Sequence, residues 1–93
     1  MDLGKAIKEI RKRKCINQKD FAVMCGISSN SLCQIEKGNN HPKKSTIKKV
    51  CEVLEIPQSY LLFYSIESED VPKDKQAIFH ALSGIRDLLI DKH

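Results

Sequence analysis

The sequence predicts an all-α chain of five short helices and one longer helix, on three observations. Apolar residues recur at three- and four-residue spacing along most of the chain. Capping residues, glycines and prolines bracket the periodic segments. No stretch alternates apolar and polar residues over a useful strand length, and no internal repeat is visible. At 93 residues, 41% hydrophobic and 30% charged, the composition is that of one small globular domain with an appended element.

Leu3, Ile7 and Ile10 fall at i, i+4, i+7, with Lys5, Lys8, Glu9, Lys12 and Arg13 on the other faces. This is an amphipathic helix over residues 2–14. Asn17 caps a second helix, with Asp20 three residues on. Phe21, Ala22 and Cys25 form its inner face, and Gly26 ends it. Ser28 or Ser29 caps a third helix, with Leu32 and Ile35 inward and Gly38 as its stop. Asn39-Asn40-His41-Pro42 is a turn. A fourth helix over 44–54 turns Ile47, Val50, Cys51 and Leu54 inward. Pro57 opens a fifth at its first helical position, buried through Tyr60 and Leu61. Glu67-Ser68-Glu69-Asp70 is an acidic break. The last helix, over 72–91, carries a stripe of Ile78, Leu82, Ile85 and Leu89, and Gly84 weakens it by about 1 kcal/mol relative to Ala. The expected division is a compact unit over 1–65, an acidic linker over 66–71 and a C-terminal helix over 72–93.

Charge is unevenly divided. Residues 1–50 carry 12 Lys/Arg and 4 Asp/Glu, a net +8; residues 51–93 carry 4 and 8, a net −4. A basic half joined to an acidic half suits a chain that meets a polyanion with one face only, and nucleic acid is the first candidate. No apolar run, Tyr60 to Tyr64 included, comes near the length of a membrane span. The N-terminal stretch has no secretory h-region, which points to a cytoplasmic protein. Cys15, Cys25, Cys33 and Cys51 form no C-x-x-C and have no histidine at zinc spacing, so four reduced thiols and no metal are expected. No nucleophile–base pair, carboxylate pair or phosphate loop is present, so neither an enzyme nor a cofactor is indicated.

The informative segment runs from Asn17 to Gly38. Two short helices meet at Cys25-Gly26-Ile27-Ser28, a turn that suits a helix-turn-helix. Leu32 and Ile35 hold the second of these helices from behind. Ser29, Asn30, Ser31, Cys33, Gln34 and Lys37 face outward. Asn and Gln carry a donor and an acceptor and can pair bidentately with adenine; Ser can bond either kind of base-edge atom. Glu36 falls on the opposite flank. Lys37, Lys43, Lys44 and Lys48 can add charge at the rim of a duplex. The run Arg11-Lys12-Arg13-Lys14 serves equally as a DNA contact or as a basic helix end complementing the dipole. His41 reads as a turn residue before proline. Oxidation of Cys33 would add bulk on the outward face.

Arg11, Gln18, Ala22…Gly26-Ile27-Ser28 and Ile35-Glu36-Lys37-Gly38 stand in the order and spacing of a known pattern. The chain resembles the Cro and phage-repressor family of helix-turn-helix proteins, also called the XRE family. The likeness continues through His41-Pro42 and Thr46…Leu54 to Pro57…Leu61, covering residues 3–62. It implies a lambda-repressor-like five-helix bundle that inserts its third helix into the DNA major groove. It also implies a transcriptional regulator, a repressor, acting as a dimer on half-sites about 34 Å apart. Carried over by position, Ser29, Asn30 and Gln34 read bases. Gln18, Ser28, Asn39, Asn40 and Lys43 meet the sugar-phosphate backbone, and the charge of Lys37 places it with them as a phosphate-binding residue. Arg11 and Glu36 form an ion pair tying the first helix to the third. No small-molecule effector is evident.

The sequence departs from that pattern at several positions. Cys15 and Glu55 replace the usual glycines after the first and fourth helices, and both then need a left-handed backbone or a different turn. Lys43 stands where Ser or Thr usually caps the fourth helix. Val23 and Met24 are apolar where the family is polar. The C-terminal stripe of Ile78, Leu82, Ile85 and Leu89 needs a partner surface: it either folds back on the five-helix core or pairs with a second copy, and homodimerisation is expected, because two linked recognition helices multiply affinity. The alternative is an antitoxin-like interaction module that neutralises a partner protein with this helix.

Overall fold

Six α-helices occupy the computed structural model, which describes residues 2–91, the side chains of Ser68 and of residues 86–91 excepted. They are α1 Leu3–Arg13, α2 Gln18–Cys25, α3 Ser29–Glu36, α4 Lys44–Leu54, α5 Gln58–Ser65 and α6 Gln76–Asp91. Single 3-10 turns at Ser68–Asp70 and Lys73–Lys75 lead into α6. The described residues contain no strand.

Side chains cap the first three helices. Asp2 accepts from the Lys5 N–H (2.9 Å), Asn17 from that of Asp20 (2.8 Å) and Ser28 from that of Ser31 (3.0 Å). Each satisfies a backbone donor with no partner inside the helix. Lys43 gives α4 no such bond, so this helix begins at Lys44 uncapped. Pro57 is the residue before α5 rather than its first helical position, because its ψ of 151° is extended.

Four helices end in one way. A left-handed residue follows each: Cys15 (φ 60°), Gly26 (φ 72°), Gly38 (φ 82°) and Glu55 (φ 58°). Its N–H bonds the carbonyl three residues back, as from Cys15 to Lys12 at 3.0 Å. The next N–H bonds the carbonyl five back: Ile16 to Arg11, Ile27 to Ala22, Asn39 to Gln34 and Ile56 to Cys51. This is the Schellman arrangement, which satisfies the terminal carbonyls. Of the two arrangements open to them, Cys15 and Glu55 adopt the left-handed backbone rather than a different turn.

α1 to α5 close around Ile7, Ile10, Phe21, Leu32, Val50, Leu54 and Leu61, all fully buried. Tyr64 is buried as well, whereas Ile47 and Tyr60, expected inward, are half-buried. The Asp2 N–H bonds the Ser65 carbonyl (3.1 Å), tying the start of α1 to the end of α5. Gly4 lies against the Ile35 carbonyl, where a Cβ would have no room. α1 and α3 can therefore approach closely.

α6 begins at Gln76, four residues later than the sequence suggests, because Pro72 is extended and a 3-10 turn intervenes. The helix lies against α1, with Phe79 and Ser83 half-buried beside Lys5, Ala6 and Glu9. Its other face carries Ile78 (64% exposed), Leu82 (42%) and Ile85 (53%). The side chain of Leu89, the fourth residue of the expected stripe, lies outside the described residues.

Candidate nucleic-acid interface

α2, Gly26-Ile27-Ser28 and α3 form the helix-turn-helix. Phe21 and Ala22 of α2 and Leu32 and Ile35 of α3 anchor the pair in the core. The first turn of α3 then faces solvent, with Ser28, Ser29, Asn30 and Ser31 all exposed. The Ser28 hydroxyl accepts from the Ser31 N–H and donates to the Ser31 hydroxyl (2.9 Å). One helical turn thus presents hydroxyl and amide groups beside backbone N–H groups of a helix N-terminus, which favours anions.

Cys33 and Gln34 are half-buried rather than fully outward, since α3 rests on its C-terminal half. Gln34 is not alone there. Its Oε1 accepts from the Asn39 Nδ2 at 2.8 Å. Lys37, Asn39, Asn40, His41 and Lys43 follow in an exposed strip, and Lys44 and Lys48 of α4 are exposed too. Val23 (74% exposed) and Met24 (48%) stay uncovered on α2.

Behind this surface the chain buries a charged group pair. Arg11 Nε donates to Glu36 Oε2 (2.8 Å) and Arg11 Nη2 to Glu36 Oε1 (3.1 Å). The side chains are 7% and 2% exposed. Arg11 Nη1 also reaches the Ile16 carbonyl (2.8 Å), and Gln18 Nε2 donates to Glu36 Oε1 (3.0 Å). The only carboxylate of α3 is therefore held inside, neutralised by Arg11, away from any phosphate. The four basic residues 11–14 do not act as one run: Arg11 is buried, while Lys12 and Arg13 are exposed.

Gln18 is half-buried and ties α2 to α3 through its bond to Glu36. The Gln18–Glu36 and Gln34–Asn39 bonds and the close approach at Gly4 escaped sequence reasoning. The order of Gln18 and Glu36 in the motif was a usable signal for the first; periodicity marks none of them.

The Cys15 thiol is exposed, and those of Cys25 and Cys51 are buried. Burial pushes both buried thiols above the ordinary value, with Lys49 partly opposing this at Cys25. Among the described residues, no helix is long and apolar enough to cross a membrane, and no three metal-ligating side chains gather.

A glycine turn joining two short helices, the second anchored by its rear residues and polar in front, defines a helix-turn-helix protein. The comparison with known families agrees: a helix-turn-helix domain matches residues 4–63, and the chain belongs to that family. Among the proteins it is similar to are two of Bacillus subtilis (strain 168). One, the uncharacterized HTH-type transcriptional regulator RghRB, is 37% identical over 60 residues, or 63% of this chain and 43% of the relative. The other, the HTH-type transcriptional repressor RghR, is 30% identical over 69 residues, 73% and 51% respectively. The antitoxin PezA of Streptococcus pneumoniae serotype 4 (strain ATCC BAA-334 / TIGR4) is 38% identical over 50 residues, 54% and 32%. The chain spans about half the length of the two Bacillus relatives.

Proposed function

We propose that the protein is a sequence-specific transcriptional regulator, a repressor, that binds double-stranded DNA and reads the major groove with α3. The observation that carries this reading is the exposed first turn of α3, with Ser29 and Asn30 in front and Leu32 and Ile35 buried behind. Ser29, Asn30 and Gln34 read base edges. Ser28, Lys37, Asn39, Asn40 and Lys43 meet phosphates, and Gln18 contributes through the N-terminus of α2. Phosphate contacts supply salt-dependent affinity, and base contacts supply selection. The regulator works in the cytoplasm, where its duplex lies, and performs no chemical step.

Two copies bind together. The exposed Ile78, Leu82 and Ile85 lie on the face of α6 turned away from α1, and a second copy covers them. In this division residues 1–65 bind DNA, 66–71 link and 72–93 dimerise. Selection of bound sequences from random duplexes tests the whole reading, since a two-fold symmetric site is expected. Gln34→Ala then costs about 1–3 kcal/mol on the selected site and little on random DNA. Equal loss on both, or no preference at moderate salt, removes base readout. Leu82→Asp lowers the mass seen by light scattering; an unchanged mass removes the dimer.

The likeness to an antitoxin favours one other reading, in which the α6 stripe holds a different protein. A stable complex with the product of a neighbouring gene, lost in Leu82→Asp, would support it.

A further inference from the structure

We infer that Asn39 sets the base preference of Gln34, by engaging the acceptor of that side chain and leaving its donors for the duplex. The inference rests on the proposed base-reading role of Gln34. A free glutamine amide turns about its last torsion with little preference and offers a donor and an acceptor together, which suits the paired groups of adenine. Gln34 is not free. Asn39 Nδ2 donates to its Oε1 at 2.8 Å, fixing the rotation of the amide and occupying its oxygen. A base donor would have to share that oxygen with Asn39. The Nε2 hydrogens carry no such restriction, so the favoured base edge is one that offers acceptors: guanine O6 and N7, or thymine O4.

The backbone makes this arrangement specific. Asn39 follows the left-handed Gly38, and its N–H bonds the Gln34 carbonyl at 2.9 Å; the Asn40 N–H reaches the same carbonyl at 3.3 Å. Asn39 is therefore placed against Gln34 by the helix end itself. At the three equivalent helix ends the corresponding residue is Ile16, Ile27 or Ile56, each half-buried. Isoleucine there makes the apolar contact that usually accompanies a Schellman end. Only the recognition helix has an amide at this position, and that amide bonds the side chain at the other end of the motif.

The test is site selection from random duplexes with the full chain and its Gln34→Ala, Asn39→Ala and Asn39→Asp variants, each checked for native helix content by circular dichroism. In the unaltered protein, the position whose preference disappears in Gln34→Ala is expected to be guanine or thymine. Asn39→Ala should admit adenine there, with discrimination falling about tenfold. Asn39→Asp supplies only acceptors, so Gln34 must donate to it and turn its oxygen to the duplex. The preference then moves to cytosine or adenine, which offer an amino group. An adenine preference in the unaltered protein overturns the inference, as does an unchanged Gln34-dependent position in both Asn39 variants. If Gln34→Ala changes no position, base readout by Gln34 has itself failed and the inference falls with it.

Discussion

Glu36→Ala should destabilise the protein more than any surface substitution. The carboxylate accepts three hydrogen bonds, two from Arg11 at 2.8 and 3.1 Å and one from Gln18 at 3.0 Å, and its side chain is 2% exposed. Its removal leaves the Arg11 guanidinium buried beside the Ile16 carbonyl, with no carboxylate to neutralise it. Breaking a buried pair in this way costs about 3–5 kcal/mol. A chain of 93 residues has a total stability of about 5–14 kcal/mol, so this is a large part of it. At about 4–8 °C per kcal/mol, Tm should fall by at least about 12 °C. Arg11→Met should cost a similar amount by stranding the carboxylate. The double variant Arg11→Met with Glu36→Leu should recover most of the loss, since apolar groups can replace a buried pair at little cost. Urea unfolding followed by circular dichroism closes this double-mutant cycle. A cost below about 1 kcal/mol for Glu36→Ala would refute the reasoning. So would additive single losses, which would mean that the two groups do not depend on each other.

The other predictions use the same unfolding assay. Gly4→Ala drives a methyl group into the Ile35 carbonyl and should cost about 1–3 kcal/mol, whereas Gly84→Ala, with open space around it, should stabilise α6 by about 1 kcal/mol. Glu55→Gly removes a side chain from a left-handed residue (φ 58°) and should stabilise by up to about 1 kcal/mol. Cys25 and Cys51 hold their protons to higher pH in the folded chain than unfolded thiols, whose ordinary value is 9.0. The native state then binds more protons above that value, so stability should fall as pH rises past it and be insensitive to these thiols below it. Iodoacetamide labelling read by mass spectrometry should modify the exposed Cys15 first, and Cys25 and Cys51 only on unfolding.

The helices of the bundle were readable because each leaves a local mark. Asn17 and Ser28 are caps, Gly26 and Gly38 are stops, and apolar residues recur between them. Where the mark is a proline the reading slips, because proline suits both the last extended residue and the first helical one. Pro57 is the former, and Pro72 precedes a 3-10 turn that delays α6. The outward face of α3 was readable at Ser29 and Asn30 but overstated at Cys33 and Gln34, since burial of Ile35 draws in its neighbours. Periodicity reports which face is apolar. It carries no information on which polar side chains bond one another across 5 or 18 residues, as Gln34 with Asn39 and Gln18 with Glu36 do.

Those two amide bonds divide the work along α3. Glu36, at the end of the helix, is bound by Arg11 of α1 and Gln18 of α2, so the helix cannot rotate or slide without breaking a buried charged network. The Gln34 side chain, two residues earlier, is bound by Asn39, which is exposed and belongs to the loop that follows. On the proposed reading, changing Asn39 should therefore alter what the helix reads without disturbing what holds it. If the proposed base readout holds, substitutions at Asn39, Ser29 or Asn30 should change sequence preference while the Arg11–Glu36 pair and the Leu32–Ile35 anchor keep α3 in place. Stability and base preference should accordingly vary independently: Asn39 variants should unfold within about 0.5 kcal/mol of the unaltered protein, as surface substitutions do, even where their selected sites differ.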